Sequence, residues 1–210
     1  EAYTAAWLLE AFGTDDPVEG VDGVAIPGMN LDVDHPLGLP DPNTIKNLGW
    51  VRIKFNVSLD PRKHGNDRYG NTDVNYTYSR YAPIIKQYTD AGLKVVLILN
   101  HQTFGEGAGY IWPQMTSGQW RDLTAKFADM ARRIAAKFAN SGQIFAYQIW
   151  NEQDTKPENA RAAVPIPAAD YGHLLAETIK AIRGVDGKTR IITGGHVGGP
   201  VAGPAYARQT

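Results

Sequence analysis

Trp150, Asn151 and Glu152 close the apolar run 144–152 (IFAYQIWNE). A carboxyl group at the end of an apolar strand, flanked by an indole and an amide, suits the cleavage of a glycosidic bond. Such an acid must be kept protonated, by partial burial and a neighbouring carboxylate, so that it can protonate the leaving oxygen. Asn151 stands where it can hydrogen-bond a sugar 2-hydroxyl, a contact that strengthens at the transition state. The plainer account of the same residues is a strand end, a capping Asn and an exposed Trp.

Other residues could join such a site. In 50–57 (WVRIKFNV) strict alternation puts Val51 and Ile53 on one face and Arg52 and Lys54 on the other, which in a barrel is the interior. Asn100 and His101 end the run 94–100, and His101 is equally a structural histidine that satisfies loop backbone. Phe104, Tyr110 and Trp112 offer ring faces for stacking on sugars, although loop aromatics more often pack the loop down. Glu106, between two glycines, reads as a surface residue. His196 follows Gly194 and Gly195 and is expected to line the site.

Several nucleotide and metal patterns fail on spacing. The glycine-rich run to Gly203 lacks the G-x-G-x-x-G arrangement, and Gly187-Lys188-Thr189 has Ile182 where a Walker sequence needs its first Gly. Asp32, Asp34 and His35 are followed by Pro36 and Leu37 rather than by further calcium ligands, and the polar loop 60–73 is better read as a rim.

The elements that must position these residues alternate in type. Short β-branched runs at 23–30, 50–57, 94–100, 144–150 and 190–193 read as strands. Between them, helical patterns begin at Asp41-Pro42 and cover 78–91, 119–139 and 169–182. In the third of these, Leu123, Phe127, Met130, Ile134 and Phe138 form one apolar stripe. Gly92 is placed to end the helix before it.

Strand–helix repetition of this kind predicts parallel strands and an α/β fold. An open doubly wound sheet and a closed (β/α)8 TIM barrel both satisfy it. The long polar and aromatic stretches 58–77, 101–118 and 151–167, each following a strand, favour the barrel. Five strands are used by residue 196, whereas a complete barrel takes about 250 residues. The expectation is therefore a 1–20 N-terminal helical segment, with an amphipathic helix at 2–12, and a 21–210 partial barrel supplying about five β/α units. The C-terminal half would be a separate chain, a fragment or a stretch lying outside this sequence.

The fourth-strand motif Trp150-Asn151-Glu152 resembles that of the clan A glycoside hydrolases, especially the β-xylosidase-like and cellulase-like members (family 39/5-type). Arg52 is similar to a site-floor arginine of that clan, and Asn100-His101 to the polar pair ending its third strand. The resemblance covers about residues 23–197, loosely except at these points. It implies a retaining mechanism with Glu152 as acid/base, Arg52 keeping the nucleophile ionised, and His101 bonding a sugar or the nucleophile. Two departures stand out: Gln153 replaces the usual Pro, and the seventh-strand Glu that serves as nucleophile is expected beyond this chain.

The bulk numbers are compatible with such a reading. The chain has 210 residues, a formal net charge of -1 and no like-charge block, which argues against nucleic acid or an anionic membrane surface as partner. It contains no cysteine, so disulfides, thiolate metal sites and a cysteine nucleophile are excluded. No run approaches the roughly 20 apolar residues that span a bilayer. The first residue is Glu rather than Met, compatible with a processed extracellular protein. The expected function is a glycoside hydrolase on β-linked glycans, needing no cofactor, with Glu152 catalytic and Asn151, Arg52, His101, Asn100, Trp150, Trp112 and His196 on the substrate. The alternative is a catalytically inactive barrel that binds carbohydrate or a protein partner.

Overall fold

A computed structural model of the chain describes residues 26–33, 35–57, 73–104, 115–156, 163–197 and 199–210. The helix expected within 1–20 lies outside them, as do Asp34, Glu106, Tyr110, Trp112 and residues 58–72.

Five strands form one parallel sheet: β1 (Gly28–Leu31), β2 (Trp50–Lys54), β3 (Lys94–Leu99), β4 (Ala146–Ile149) and β5 (Arg190–Thr193). Their spatial order is β1-β2-β3-β4-β5. A doubly wound sheet reverses its order at a switch point. This one never does, so the chain winds in one direction, as consecutive units of a (β/α)8 barrel do.

The helices are α1 (Pro42–Ile45), α2 (Val74–Asp90), α3 (His101–Phe104), α4 (Ser117–Phe138), α5 (Ala168–Arg183) and α6 (Gly199–Ala207). Capping explains where they start. The Asp73 side chain accepts from Asn75 N at 2.8 Å, so α2 begins four residues before the expected 78. Thr116 and Gln119 form a capping box at the head of α4. At the other ends, Gly92 (φ +87°) follows α2, and Asn140 (φ +61°) follows α4.

The strand register separates two faces. Val51, Ile53, Val95, Leu97, Leu99, Tyr147 and Ile149 are buried against the helices, where all five residues of the α4 stripe meet them. The opposite face carries a smaller apolar group, Val96, Ala146 and Ile192, with Phe145 against it. At the N-terminal end of the strands the Phe145 ring sits between the Lys94 ammonium (4.9 Å) and the Arg190 guanidinium (4.6 Å). Toward the C-terminal ends this inner face turns polar. Arg52, Lys54 and Gln148 stand there, on the face that alternation assigned to Arg52.

Before β5, Asp186 accepts from Lys188 N (3.1 Å), Thr189 N (3.0 Å) and the Thr189 hydroxyl (2.6 Å). That turn fixes where β5 starts, and so where the loop after it ends up.

Candidate active site

The inner polar face is organised by one guanidinium. Arg52 Nε donates to Gln148 Oε1 at 2.8 Å, Nη1 to Asn30 Oδ1 at 3.2 Å, and Nη2 to Asn151 Oδ1. A side chain from β2 thus reaches β1 on one side and β4, two strands away, on the other. Only a curled sheet permits that span. Burial pushes the Arg52 pKa down to about 10, and the negative charge of Glu152 works in the opposite direction. Arg52 therefore remains a cation at neutral pH and shares an electrostatic field with Glu152.

Because a guanidinium only donates, it fixes the Asn151 amide with its oxygen toward Arg52 and its NH2 group facing away. Gln148 is locked in the same manner, with Nε2 donating to Trp150 O at 2.7 Å. An amide inside an otherwise apolar strand run is the signal in the sequence that marks Gln148.

The backbone at the motif is unusual. Trp150 has φ +71° and Glu152 φ +54°, two of the three non-glycine residues in the left-handed region among the described residues. Such conformations cost about 1–3 kcal/mol each and persist where the surroundings over-determine them. Glu152 N donates to Gly195 O at 2.8 Å, and Thr155 N donates to Glu152 O at 3.0 Å. The Glu152 residue is half-buried.

The left-handed turn at Trp150 moves its indole to the helix side. Strand alternation would have put residue 150 on the inner face beside Gln148. Instead Trp150 is fully buried, packed against Trp120 and Phe127 of α4, with Nε1 donating to Val164 O at 2.9 Å. The expectation of Trp150 on substrate gives way to a core residue, and Asn151 takes the inward position.

Asn100 and His101 are also buried rather than presented to the mouth. Asn100 Oδ1 accepts from Gln102 N at 3.0 Å, and Asn100 N donates to the Thr103 hydroxyl at 3.0 Å, so the pair with Thr103 caps α3. His101 packs against Trp150, with ring centroids 5.9 Å apart. Burial, with the charge of Lys54 adding to it, pushes its pKa down to about 3, and the ring is neutral. Phe104 packs on the core from α3. His196 lies partly exposed after β5, its Nδ1 3.5 Å from Asp154 Oδ2 and its ring edge-on to Tyr206. The structure thus joins Arg52, Asn151 and Glu152, and sets Trp150, Asn100 and His101 behind them.

Residues given no role in the site from the sequence hold the β4 and β5 ends together. The Tyr171 hydroxyl donates to Ile149 O (2.8 Å) and accepts from Gly194 N (2.9 Å). Gln153 Nε2 donates to Gly194 O at 3.1 Å, and Asp154 Oδ1 accepts from Val197 N at 2.8 Å. A separate cavity of about 350 Å3, lined by Trp120, Gln153, Thr155, Ile166, Pro167 and Tyr206 among others, excludes Arg52, Asn151 and Glu152. Among the described residues no group of three or more His, Asp or Glu converges as a metal site requires.

Parallel strands wound in one direction, with a Glu and an Asn at the end of the fourth, agree with a sequence match. The description "Cellulase (glycosyl hydrolase family 5)" matches residues 43–203, more than half of the chain. The chain belongs to glycosyl hydrolase family 5. Of the two branches suggested by the fourth-strand motif, this is the cellulase-like one. Solved structures agree on the fold. Endo-glycoceramidase II from Rhodococcus sp. is similar at 18% identity and a TM-score of 0.56, over 82% of this chain and 48% of that one. PbGH5A, a glycoside hydrolase family 5 enzyme from Prevotella bryantii B14, is similar at 19% identity and a TM-score of 0.55, over 79% of this chain and 53% of that one. This family 5 chain spans about half the length of those structures. No curated protein matches it.

Proposed function

We propose that this chain carries the acid/base half of a retaining glycoside hydrolase acting on β-linked glycans, with Glu152 as the acid/base. The observation that supports it most is the combination at one strand end of a half-buried Glu in a left-handed backbone with an Asn amide locked by Arg52. In the first step Glu152 gives its proton to the glycosidic oxygen as the bond from that oxygen to the anomeric carbon breaks. A second carboxylate, which this mechanism requires about 5–5.5 Å away, forms the new bond to the anomeric carbon. In the second step the Glu152 carboxylate takes a proton from water, the water oxygen bonds the anomeric carbon, and the second carboxylate leaves. A solved structure of the similar endo-glycoceramidase II is described as a lactosyl-enzyme intermediate, which accords with a covalent step.

Asn151 presents NH2 to the mouth, so the 2-hydroxyl oxygen would be the acceptor there. Trp112 and His196 are proposed to contact more distant parts of the glycan.

The test is Glu152→Gln in the full-length protein. Turnover of unactivated β-glycans should fall by about 10²–10⁴-fold, the usual contribution of a positioned acid/base. Near-wild-type turnover would overturn the assignment. A wild-type protein that binds glycans without cleaving any would favour the inactive binding barrel.

A further inference from the structure

We infer that Gln153 is a positioning residue for Glu152: its side-chain amide ties the acid/base loop to the end of β5 and holds Glu152 in its left-handed backbone. The inference rests on the reading of Glu152 as acid/base. Two consecutive residues of the β4 loop bond two consecutive carbonyls after β5. Glu152 N donates to Gly195 O at 2.8 Å, and Gln153 Nε2 donates to Gly194 O at 3.1 Å. The main chain of Gln153 is fastened as well, its carbonyl accepting from Ile166 N at 2.9 Å. A non-glycine residue at φ +54° relaxes to negative φ unless it is held there. Relaxation would re-aim the Glu152 side chain and alter its electrostatic coupling to Arg52.

Burial indicates why the amide is informative. Gln153 is fully buried, yet its Oε1 has no hydrogen-bond partner among the described residues. A residue retained only for packing would be apolar here, since a buried acceptor without a partner is unfavourable. The half of the amide that is satisfied is the half that reaches Gly194. Gly194 also admits the side chain: a Cβ on it would come within 2.0 Å of Gln153 Oε1.

Gln153→Leu in the full-length protein keeps the size and removes the tie. Two substrates read the outcome: a β-glycoside with an unactivated sugar leaving group, which needs the proton, and a dinitrophenyl β-glycoside, which leaves without one. Formation of the glycosyl-enzyme from the unactivated substrate should slow by about a hundredfold, the scale of a small misplacement in a catalytic group. Formation from the dinitrophenyl substrate, read as the burst of phenolate, should be unchanged. Equal slowing of both, or of neither, overturns the inference. If Leu prevents folding, Gln153→Met carries the same test. Glu152→Gln runs alongside. If it shows no dependence on the leaving group, the acid/base reading is what fails; if only the Gln153 variants lack the dependence, the positioning role fails alone.

Discussion

The Arg52 guanidinium bonds the side-chain oxygen of Asn151 across the width of β3, while its other nitrogens bond Gln148 and Asn30. Three acceptors, one on β1, one on β4 and one just past the end of β4, are engaged by one planar fork. An ammonium is a single point and cannot reach all three. The fork therefore sets which end of the Asn151 amide turns toward the guanidinium and which turns away, independently of the charge it brings.

Arg52→Lys keeps the charge and removes the fork. Turnover should fall by about a hundredfold, the cost of a small error in a substrate-positioning group. The same substitution assayed on a 2-deoxy glycoside should cost much less, because the contact proposed for Asn151 is already missing. Equal losses on the two substrates would mean that Arg52 does not act through Asn151.

His101 makes a pH prediction in which the sign can be worked out. Its ordinary pKa of 6.5 is pushed to about 3 by burial, with Lys54 adding to the effect. Below 6.5 the unfolded chain takes up a proton at this ring, and the folded chain does not until about 3. The stability His101 contributes is complete above pH 6.5 and is lost as pH falls toward 3, with a slope of up to roughly 1.4 kcal/mol per pH unit. His101→Met removes that term. Melting temperature against pH should be flatter for the variant between pH 6.5 and 4, and parallel curves would show that the ring is protonated in the fold. A neutral His101 also contributes no limb to the pH profile of activity in that range.

The winding of the chain was legible because it rests on local patterns. The β3 run, the Gly92 stop and the α4 stripe each declare themselves within a few residues, and the described strands and helices fall on them within a few positions. Arg52 on the inner face followed from period-two alternation. That rule failed at Trp150, where a left-handed residue resets the alternation, sends the indole into the core and hands the inward place to Asn151. Asn100 was misplaced for a related reason: a short polar residue after a strand caps a helix as readily as it binds a ligand, and the four-residue α3 was too short to show a period. α6 was hidden by its glycines and prolines. Gln153 and Tyr171 bond main-chain carbonyls and N–H groups 22 to 41 residues away. No periodicity encodes such partners; only the curvature of the sheet brings them together.

Gly194 concentrates these long-range demands at one position. Its N–H is held by the Tyr171 hydroxyl and its carbonyl by Gln153 Nε2. A methyl group there would stand 2.0 Å from Gln153 Oε1 and 3.0 Å from the Trp150 carbonyl carbon. The first neighbour is the end of a fully buried side chain that borders the cavity of about 350 Å3; the second is backbone and cannot give way so easily. Gly194→Ala should therefore destabilise the protein by about 1–3 kcal/mol, the range for overpacking a buried site. It should also slow cleavage of unactivated glycans, because the atom displaced belongs to the tether beside Glu152. Truncating Gln153 to Ala makes room for the methyl. In chemical denaturation the Gln153→Ala/Gly194→Ala pair should be less destabilised than the sum of the single variants by more than about 0.5 kcal/mol, beyond what independent sites show. Activity on unactivated glycans should stay low in the pair, since the space is restored and the tether is not. Simple additivity in stability, or recovery of activity in the pair, would show that the contact between Gly194 and Gln153 is not what holds the acid/base loop.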